Sequence, residues 1–395
     1  MQEGALSHLR VLDLSRVLAG PWASQMLGDL GAEVIKIEHP ERGDDTRGWG
    51  PPYATGADGK PVESAYFLCA NRNKKSVALD IATSEGQAQV RSLAQKSDVL
   101  IENFKVGGLR KFGLDYESLA ALNPRLIYCS VTGFGQTGPY AQRPGYDFMI
   151  QGLGGLMSVT GRPDGVEGSG PLKVGVALTD VLTGLHAVAG ILAALAWRER
   201  SGQGQHIDLA LLDVQVSCLA NQALNYLVTG HSPQRLGNSH PSIVPYEAFP
   251  TADGDMILAV GNDSQFASLC RAAGHPEWAE DPRFASNAAR VEHRRTLVPL
   301  LRQLTVQRTT DDWIALLEQA NVPCGPINDL AGVFADPQVR ARELRVDLPH
   351  PLAGSVPSVA SPLRLSKTPV QYRHAPPALG ADTREVLDRL ADESA

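Results

Sequence analysis

The stretch that decides the fold is Leu9–Glu38, LRVLDLSRVLAGPWASQMLGDLGAEVIKIE. LRVLDL is a short apolar run of the length of a buried strand. SRVLAG is a turn, and Pro21 suits the first position of a helix, where its missing N–H would be unpaired anyway. The helix is expected over 21–30, stopped by Gly31, and AEVIKIE is a second strand. Strand, helix and strand within thirty residues make a βαβ unit with parallel strands. The turn lacks the GxGxxG spacing of a dinucleotide site, so neither NAD nor FAD is expected.

The same alternation continues outward. Strands are expected at SVALDI (76–81), DVLIE (98–102) and LIYCSV (126–131), with helices over 84–96, capped by Thr83 or Ser84, and 116–122. QHIDLAL (205–211) alternates like a further strand. This is an α/β fold with a Rossmann-like large domain and a mostly parallel sheet. Ligands bind such sheets at the carboxyl ends of the strands. Lys105, Arg110 and Lys111 follow one such end. Three cations there suit a phosphate-bearing ligand, and equally a solvated basic turn. The long Gly/Pro/Asp-rich loop 41–61 carries Arg47 and Trp49 and reads as a loop on the substrate side. After residue 225 the pattern changes to short strands and separate helices. The expected division is therefore 1–224 for the large domain, 225–325 for a small α+β domain, and 326–395 for a segment returning to the large domain. A hairpin is expected at Ala252–Asp253–Gly254, and 213–228 reads as one helix.

The longest apolar run is VGVALTDVLTGLHAVAGILAALAW (174–197), with one carboxylate, Asp180, near its start. An unpaired ionised carboxylate in apolar surroundings costs roughly several kcal/mol. Two readings stand. Asp180 caps a helix beginning at Val181, or it is a reactive group in a dry site. On a helix, the small residues Ala177, Gly184 and Ala187 lie beside it and leave space for a ligand. The run is long enough to span a bilayer, but Asp180, His186 and its Gly and Thr residues argue against that.

Composition narrows the function. The chain has 395 residues, a net charge of −7 and five dispersed cysteines without a CxxC pair. No basic stripe suggests nucleic acid, and the cysteine usage fits a reducing compartment. The start lacks a secretory signal, so the cytoplasm is the expected location. The ten histidines form no HxxxH, HxH or HExxH, so no metal is expected. GxSxG and Walker motifs are absent, which leaves carboxylates as the chemical candidates.

Several segments together resemble the family III CoA-transferases, a family that includes formyl-CoA, carnitine and succinyl-CoA:dicarboxylate transferases and the α-methylacyl-CoA racemases. They are RVLDLSRVLAGPWASQMLGDLGAEVIKIEHPERGDDTR, NRNKKSVALD, DVLIENF, NPRLIYCSVTGFGQTGPY, VALTDVLTGLHA, RERSGQGQHIDLALLD and RLGNSHPSIVPYEAF. The C-terminal half looks closest to the succinyl-CoA:glutarate type. The resemblance implies coenzyme A, as an acyl-CoA, for the substrate, small carboxylic acids as its co-substrates, and an interlocked, ring-like homodimer. It places the nucleophile on Asp180, which would form an aspartyl anhydride and then an aspartyl-CoA thioester. It places coenzyme A contacts on Val17, Leu18, Ala19, His39, Leu79, Ala82, Asn103, Phe104, Lys105, Arg110 and Lys111, with Tyr146 and Asp147 lining the reacting centre. The segment matching the family's glycine-rich shielding loop reads VGNDSQF, with one glycine, Gly261, followed by Asn262; both are assigned to substrate. Arg47, by charge and loop position, is the candidate for the acceptor's distal carboxylate.

The chemistry agrees with this assignment. A carboxylate nucleophile divides a hard acyl exchange into easier steps and needs water excluded. At a helix start the N–H ends would keep it ionised at neutral pH. A racemase is the alternative enzyme, and a non-catalytic coenzyme A-binding protein the non-enzymatic one. Where racemases of the family carry a histidine, this chain has Tyr146, and a phenol is a poor base near neutrality.

Overall fold

The structure is a computed structural model and describes residues 3–393. The chain divides into two compact units, 1–157 with 173–231 and 338–395, and 158–172 with 232–337.

The first unit is built on a six-stranded sheet. Its strands are β1 (Arg10–Asp13), β2 (Glu33–Glu38), β3 (Lys74–Ala78), β4 (Val99–Glu102), β5 (Ile127–Thr132) and β6 (His206–Ala210). Every pairing is parallel, and the order across the sheet is β3-β2-β1-β4-β5-β6. This is the doubly wound order, which reverses between β1 and β4 and opens a crevice at their carboxyl ends. Period-two alternation assigns the faces. Val11 joins the core under helices α1 (Ala19–Asp29) and α5 (Leu178–Ser201). Its neighbour Leu12 joins the opposite core, under α2 (Ser84–Gln95), α3 (Tyr116–Leu122) and the last helix, α6 (Thr383–Asp392), which contributes Val386 and Leu390. The parallel α/β reading therefore holds, and Thr83 caps α2 through the amide of Gly86.

Three local expectations change. Helix α1 starts at Ala19, so Pro21 is its third residue, still within the turn whose N–H groups lack helical partners. The helix expected over 213–228 is two helices, Leu211–Ser217 and Ala220–Thr229, divided where Ala220 takes φ +46°. The apolar run begins its helix at Leu178 rather than Val181.

In the second unit a three-stranded antiparallel sheet joins Tyr246–Pro250, Asp255–Ala259 and Cys324–Pro326, with the expected hairpin between the first two. Phe249, Met256, Leu258, Phe266 and Trp313 form its core. The loop 158–172 belongs to this unit and not to the large domain where the sequence placed it. The Arg235 guanidinium pairs with Asp164, and the Gly237 amide donates to the Gly161 carbonyl at 3.1 Å.

Candidate active site

A cavity of ≈ 510 Å³ opens at the carboxyl ends of β1, β4 and β5. Its wall comes from the turn after β1 (Arg16 to Ala19), the segment after β4 (Asn103 to Val106), the start of the loop after β5 (Thr132, Gly133), Arg143 to Tyr146, Lys111 and Asp180. All of these belong to the first unit. The location follows from the strand order, because the turns after β1 and β4 flank the switch point.

Each wall segment has a local cause. The turn after β1 is locked by Asn103, whose carbonyl oxygen accepts the Arg16 amide at 2.9 Å and whose NH₂ donates to the Arg16 carbonyl at 2.7 Å. The Arg143–Tyr146 segment reaches the wall because two glycines touch. A Cβ on Gly145 would lie 2.3 Å from the Gly133 Cα, so neither position accepts a side chain.

Asp180 is the third residue of α5 and is 9% exposed. Its carboxylate has no hydrogen-bond or ion-pair partner among the described residues. The capping reading is therefore wrong. The cap comes from Asp147, at the start of helix α4 (Asp147–Leu153). One Asp147 oxygen accepts the Thr179 amide at 2.8 Å and the Asp180 amide at 3.4 Å. The other accepts the Gln151 side chain at 2.7 Å. Burial first, and the Asp147 charge second, push the Asp180 carboxyl up to about 7. The helix start thus does not keep it fully ionised at neutral pH, because burial, and second the Asp147 charge, outweigh the positive end.

The small residues beside Asp180 also act differently from the expectation. They admit a helix. Ala187 is fully buried, and a Cβ on Gly184 would lie 2.9 Å from the Ala19 carbonyl oxygen and 3.0 Å from Trp22 Cδ1. This close approach sets the first turn of α1 beside the second turn of α5, with Leu18 and Ala19 on the same cavity wall as Asp180. The Leu18 and Ala19 amides have no hydrogen-bond partner among the described residues, and no side chain caps α1.

Of the expected site residues, Val17, Leu18, Ala19, Asn103, Phe104, Lys105, Lys111, Tyr146 and Asp180 share this wall. Tyr146 is 65% exposed at the rim. Others lie elsewhere. His39 bonds locally to the Glu41 amide, Leu79 is packed in a core, and Ala82 is exposed beyond the end of β3. Arg110 reaches Asp115 and Glu117 at 3.5 and 3.7 Å, while Lys111 stays with the cavity. Asp147 stands behind Asp180 as its helix cap. Gly261 and Asn262 belong to the second unit. There the Asn262 side chain caps the helix Asp263–Ala272, and the Gly261 amide donates to Gln265.

Arg47 lies off this wall. Its guanidinium is buried, donates to both oxygens of Glu38 at 2.8 and 2.7 Å, pairs with Glu63, and lies 3.7 Å above the Phe67 ring. Two carboxylates already pair with its charge.

Sequence reasoning missed Arg16 and Arg143. Among the described residues Arg143 has no carboxylate partner, and it lies over the rings of Phe134 and Tyr140. It also missed Tyr66, which meets the edge of Trp49 at 5.1 Å. Burial, and then the nearby Asp180 charge, push the Tyr66 phenol up to about 12, so it remains a hydrogen-bond donor at all working pH values. A third omission lies beneath the wall. Lys36 and Asp44 pair at 2.9 Å, and Lys74 and Asp13 at 3.1 Å, all with fully buried side chains. Burial alone would raise the Asp13 carboxyl, but Lys74, Lys36 and two serine hydroxyls hold it at about 2. The apolar pattern of EVIKIE hides Lys36 as a strand residue whose chemistry is not apparent from periodicity.

Comparison with known proteins gives the family. The model of CoA-transferase family III matches residues 6–383. A succinate–glutarate CoA-transferase from Agrobacterium fabrum is 54% identical, covering 98% of this chain and 95% of its own. The human succinyl-CoA:glutarate CoA-transferase is 43% identical, covering 98% of this chain and 86% of its own. Among solved structures, a CAIB/BAIF family protein from Brucella suis, 50% identical, superposes with a TM-score of 0.88 over 98% of this chain and all of that one. Matched over nearly its whole length, the chain is an enzyme belonging to CoA-transferase family III.

Proposed function

We propose that the enzyme moves coenzyme A from succinyl-CoA to a small dicarboxylate, with Asp180 as the nucleophile. The observation that carries this is the buried, unpartnered Asp180 carboxylate on the wall of a cavity that also presents Arg16, Lys105, Lys111 and Arg143. The names of the relatives support the donor and the class of acceptor; glutarate, itaconate and hydroxymethylglutarate are the acceptors of choice.

An ionised Asp180 oxygen attacks the thioester carbonyl, the C–S bond breaks, and the coenzyme A thiolate leaves, giving a mixed anhydride. The thiolate then attacks the Asp180 carbonyl carbon, releases succinate and leaves an aspartyl-CoA thioester. The acceptor carboxylate attacks that carbon, forming a second anhydride and freeing the thiolate. Thiolate attack on the acceptor acyl carbon completes the new thioester and restores Asp180. Each carbonyl attack develops an oxyanion, and unpaired amides such as those of Leu18 and Ala19 are the groups that stabilise one. The four cations suit the phosphates of coenzyme A. A homodimer is part of the reading. Leu185, Leu192 and Trp197 stand exposed along α5, as do Leu224, Leu227 and Val228 on a later helix, and a second copy would cover them.

The test mixes the protein with succinyl-CoA in the absence of acceptor and traps the adduct with hydroxylamine or borohydride. Mass spectrometry should find it on the peptide containing Asp180, and added glutarate should yield glutaryl-CoA. An unmodified peptide would overturn covalent catalysis by Asp180, and deuterium uptake at the α-carbon of a 2-methylacyl-CoA with inversion and without acyl exchange would overturn the proposal in favour of a racemase.

A further inference from the structure

Val17 is the one strained residue on the cavity wall. Its φ is +71°, in the left-handed region. For a β-branched residue this is an outlier that persists only where its surroundings enforce it. The enforcing contacts are visible. The Val17 amide donates to Asp44 Oδ1 at 3.2 Å. Two residues earlier, the Ser15 carbonyl accepts Lys36 Nζ at 2.8 Å. Lys36 and Asp44 bind each other at 2.9 Å, and Asp44 is 1% exposed. The pair therefore grips the turn on both sides of Arg16. The next two residues, Leu18 and Ala19, carry the unpaired amides and share the cavity wall with Asp180. A Val17 relaxed to negative φ would rotate those amides away.

We propose that Asp44, fixed by Lys36, is a positioning residue that holds Val17 in its left-handed conformation and so aims the Leu18 and Ala19 amides at the reacting carbonyl. Asp44 is buried and is not on the cavity wall. The proposal rests on Asp180 being the nucleophile. The pair is buried, and a buried ion pair is weak evidence for stability; holding a strained turn gives it another use.

Turnover of succinyl-CoA with glutarate tests this in the full-length protein. The double variant Asp44→Asn/Lys36→Met removes both charges together, so no lone charge is left buried. Its kcat should fall at least about tenfold, while the KM for succinyl-CoA changes less than about threefold, because the rest of the wall is intact. Adding Val17→Gly to that double variant should recover kcat at least about threefold, because glycine enters the left-handed region without strain. A merely structural role for Asp44 predicts no such recovery, since glycine only loosens the chain. Should the double variant fail to fold, Val17→Pro decides the matter. It forbids positive φ and removes the donor to Asp44, yet leaves the ion pair whole. It should fold and lose kcat by about tenfold or more. Wild-type kcat in Val17→Pro or in the double variant, or no recovery with glycine, overturns the proposal. The wild type and Asp180→Asn run alongside. If the wild type does not exchange coenzyme A, or Asp180→Asn does, the nucleophile assignment fails; if both behave as expected, a failure belongs to Asp44 alone.

Discussion

Asp180→Asn should stabilise the protein, and increasingly so as the pH rises. In the folded protein burial and Asp147 raise this carboxyl from 3.8 to about 7. Between those values the folded state holds a proton that the unfolded state has released. Stability therefore falls as pH rises from about 4 to 7, and levels off above. Each pKa unit is worth about 1.36 kcal/mol. Only the two units between pH 5 and 7 fall within a comparison of pH 5 with pH 8, so wild type should lose about 3 kcal/mol relative to the variant across that interval. Every other titrating group is common to both proteins and cancels. The assay is urea unfolding of wild type and Asp180→Asn at the two pH values, with intact mass confirming that the new amide has not reverted to aspartate. The variant's advantage should be about 3 kcal/mol larger at pH 8. An equal advantage at both would mean that Asp180 does not change charge between them, and the dry site inferred from its burial would be refuted.

The same titration governs rate. Because the nucleophile must be ionised, kcat/KM for succinyl-CoA should climb with pH through about 7 and then flatten; a flat profile from pH 5 to 8 would remove Asp180 from the rate-determining chemistry. Gly184→Ala places a Cβ 2.9 Å from the Ala19 carbonyl oxygen, so α1 must shift. Overpacking of this kind costs about 1–3 kcal/mol, and a lower melting temperature should accompany a lower kcat. Arg47→Ala leaves Glu38 and Glu63 facing each other in a buried site. The expected loss is about 3–5 kcal/mol in the melt, with KM affected alike for dicarboxylates and monocarboxylates. A selective rise for dicarboxylates at unchanged stability would return Arg47 to the substrate site.

The parallel sheet was legible because buried strands and amphipathic helices carry periods that need no tertiary knowledge. Leu9 to Glu38 shows the whole βαβ unit. Asp180 was legible for a related reason, since a lone carboxylate in a long apolar run breaks its own pattern. The role of its neighbours was not. Whether Asp180 caps its helix depends on Asp147, which lies 33 residues earlier and supplies the cap instead. Small residues beside a carboxylate read equally as room for a ligand or room for a helix, and only the position of Ala19 and Trp22 decides for the helix. Arg47 illustrates the limit of charge and loop position. The carboxylates that hold it come from the end of β2 and from Glu63, and neither contact has a sequence signature. The same holds for the loop 158–172, tied to Arg235 across more than sixty residues.

The turn after β1 shows how one site can be kept while its usual chemistry is replaced. In a doubly wound sheet this turn commonly gains its tight geometry from glycine, which adopts unusual φ freely and lets a phosphate approach the backbone. Here the turn reads SRVLAGP, and the sequence excluded a dinucleotide site on that ground. The cavity nonetheless lies at the same switch point. What differs is the source of the geometry. A valine occupies the left-handed position, and Asp44, Lys36 and Asn103 impose it from outside the turn. A glycine there would also adopt its other conformations, whereas a valine in a turn held by three partners has one arrangement. Reading the turn for its glycines gives no expectation of a dinucleotide; reading it for its strain leads to the cavity wall.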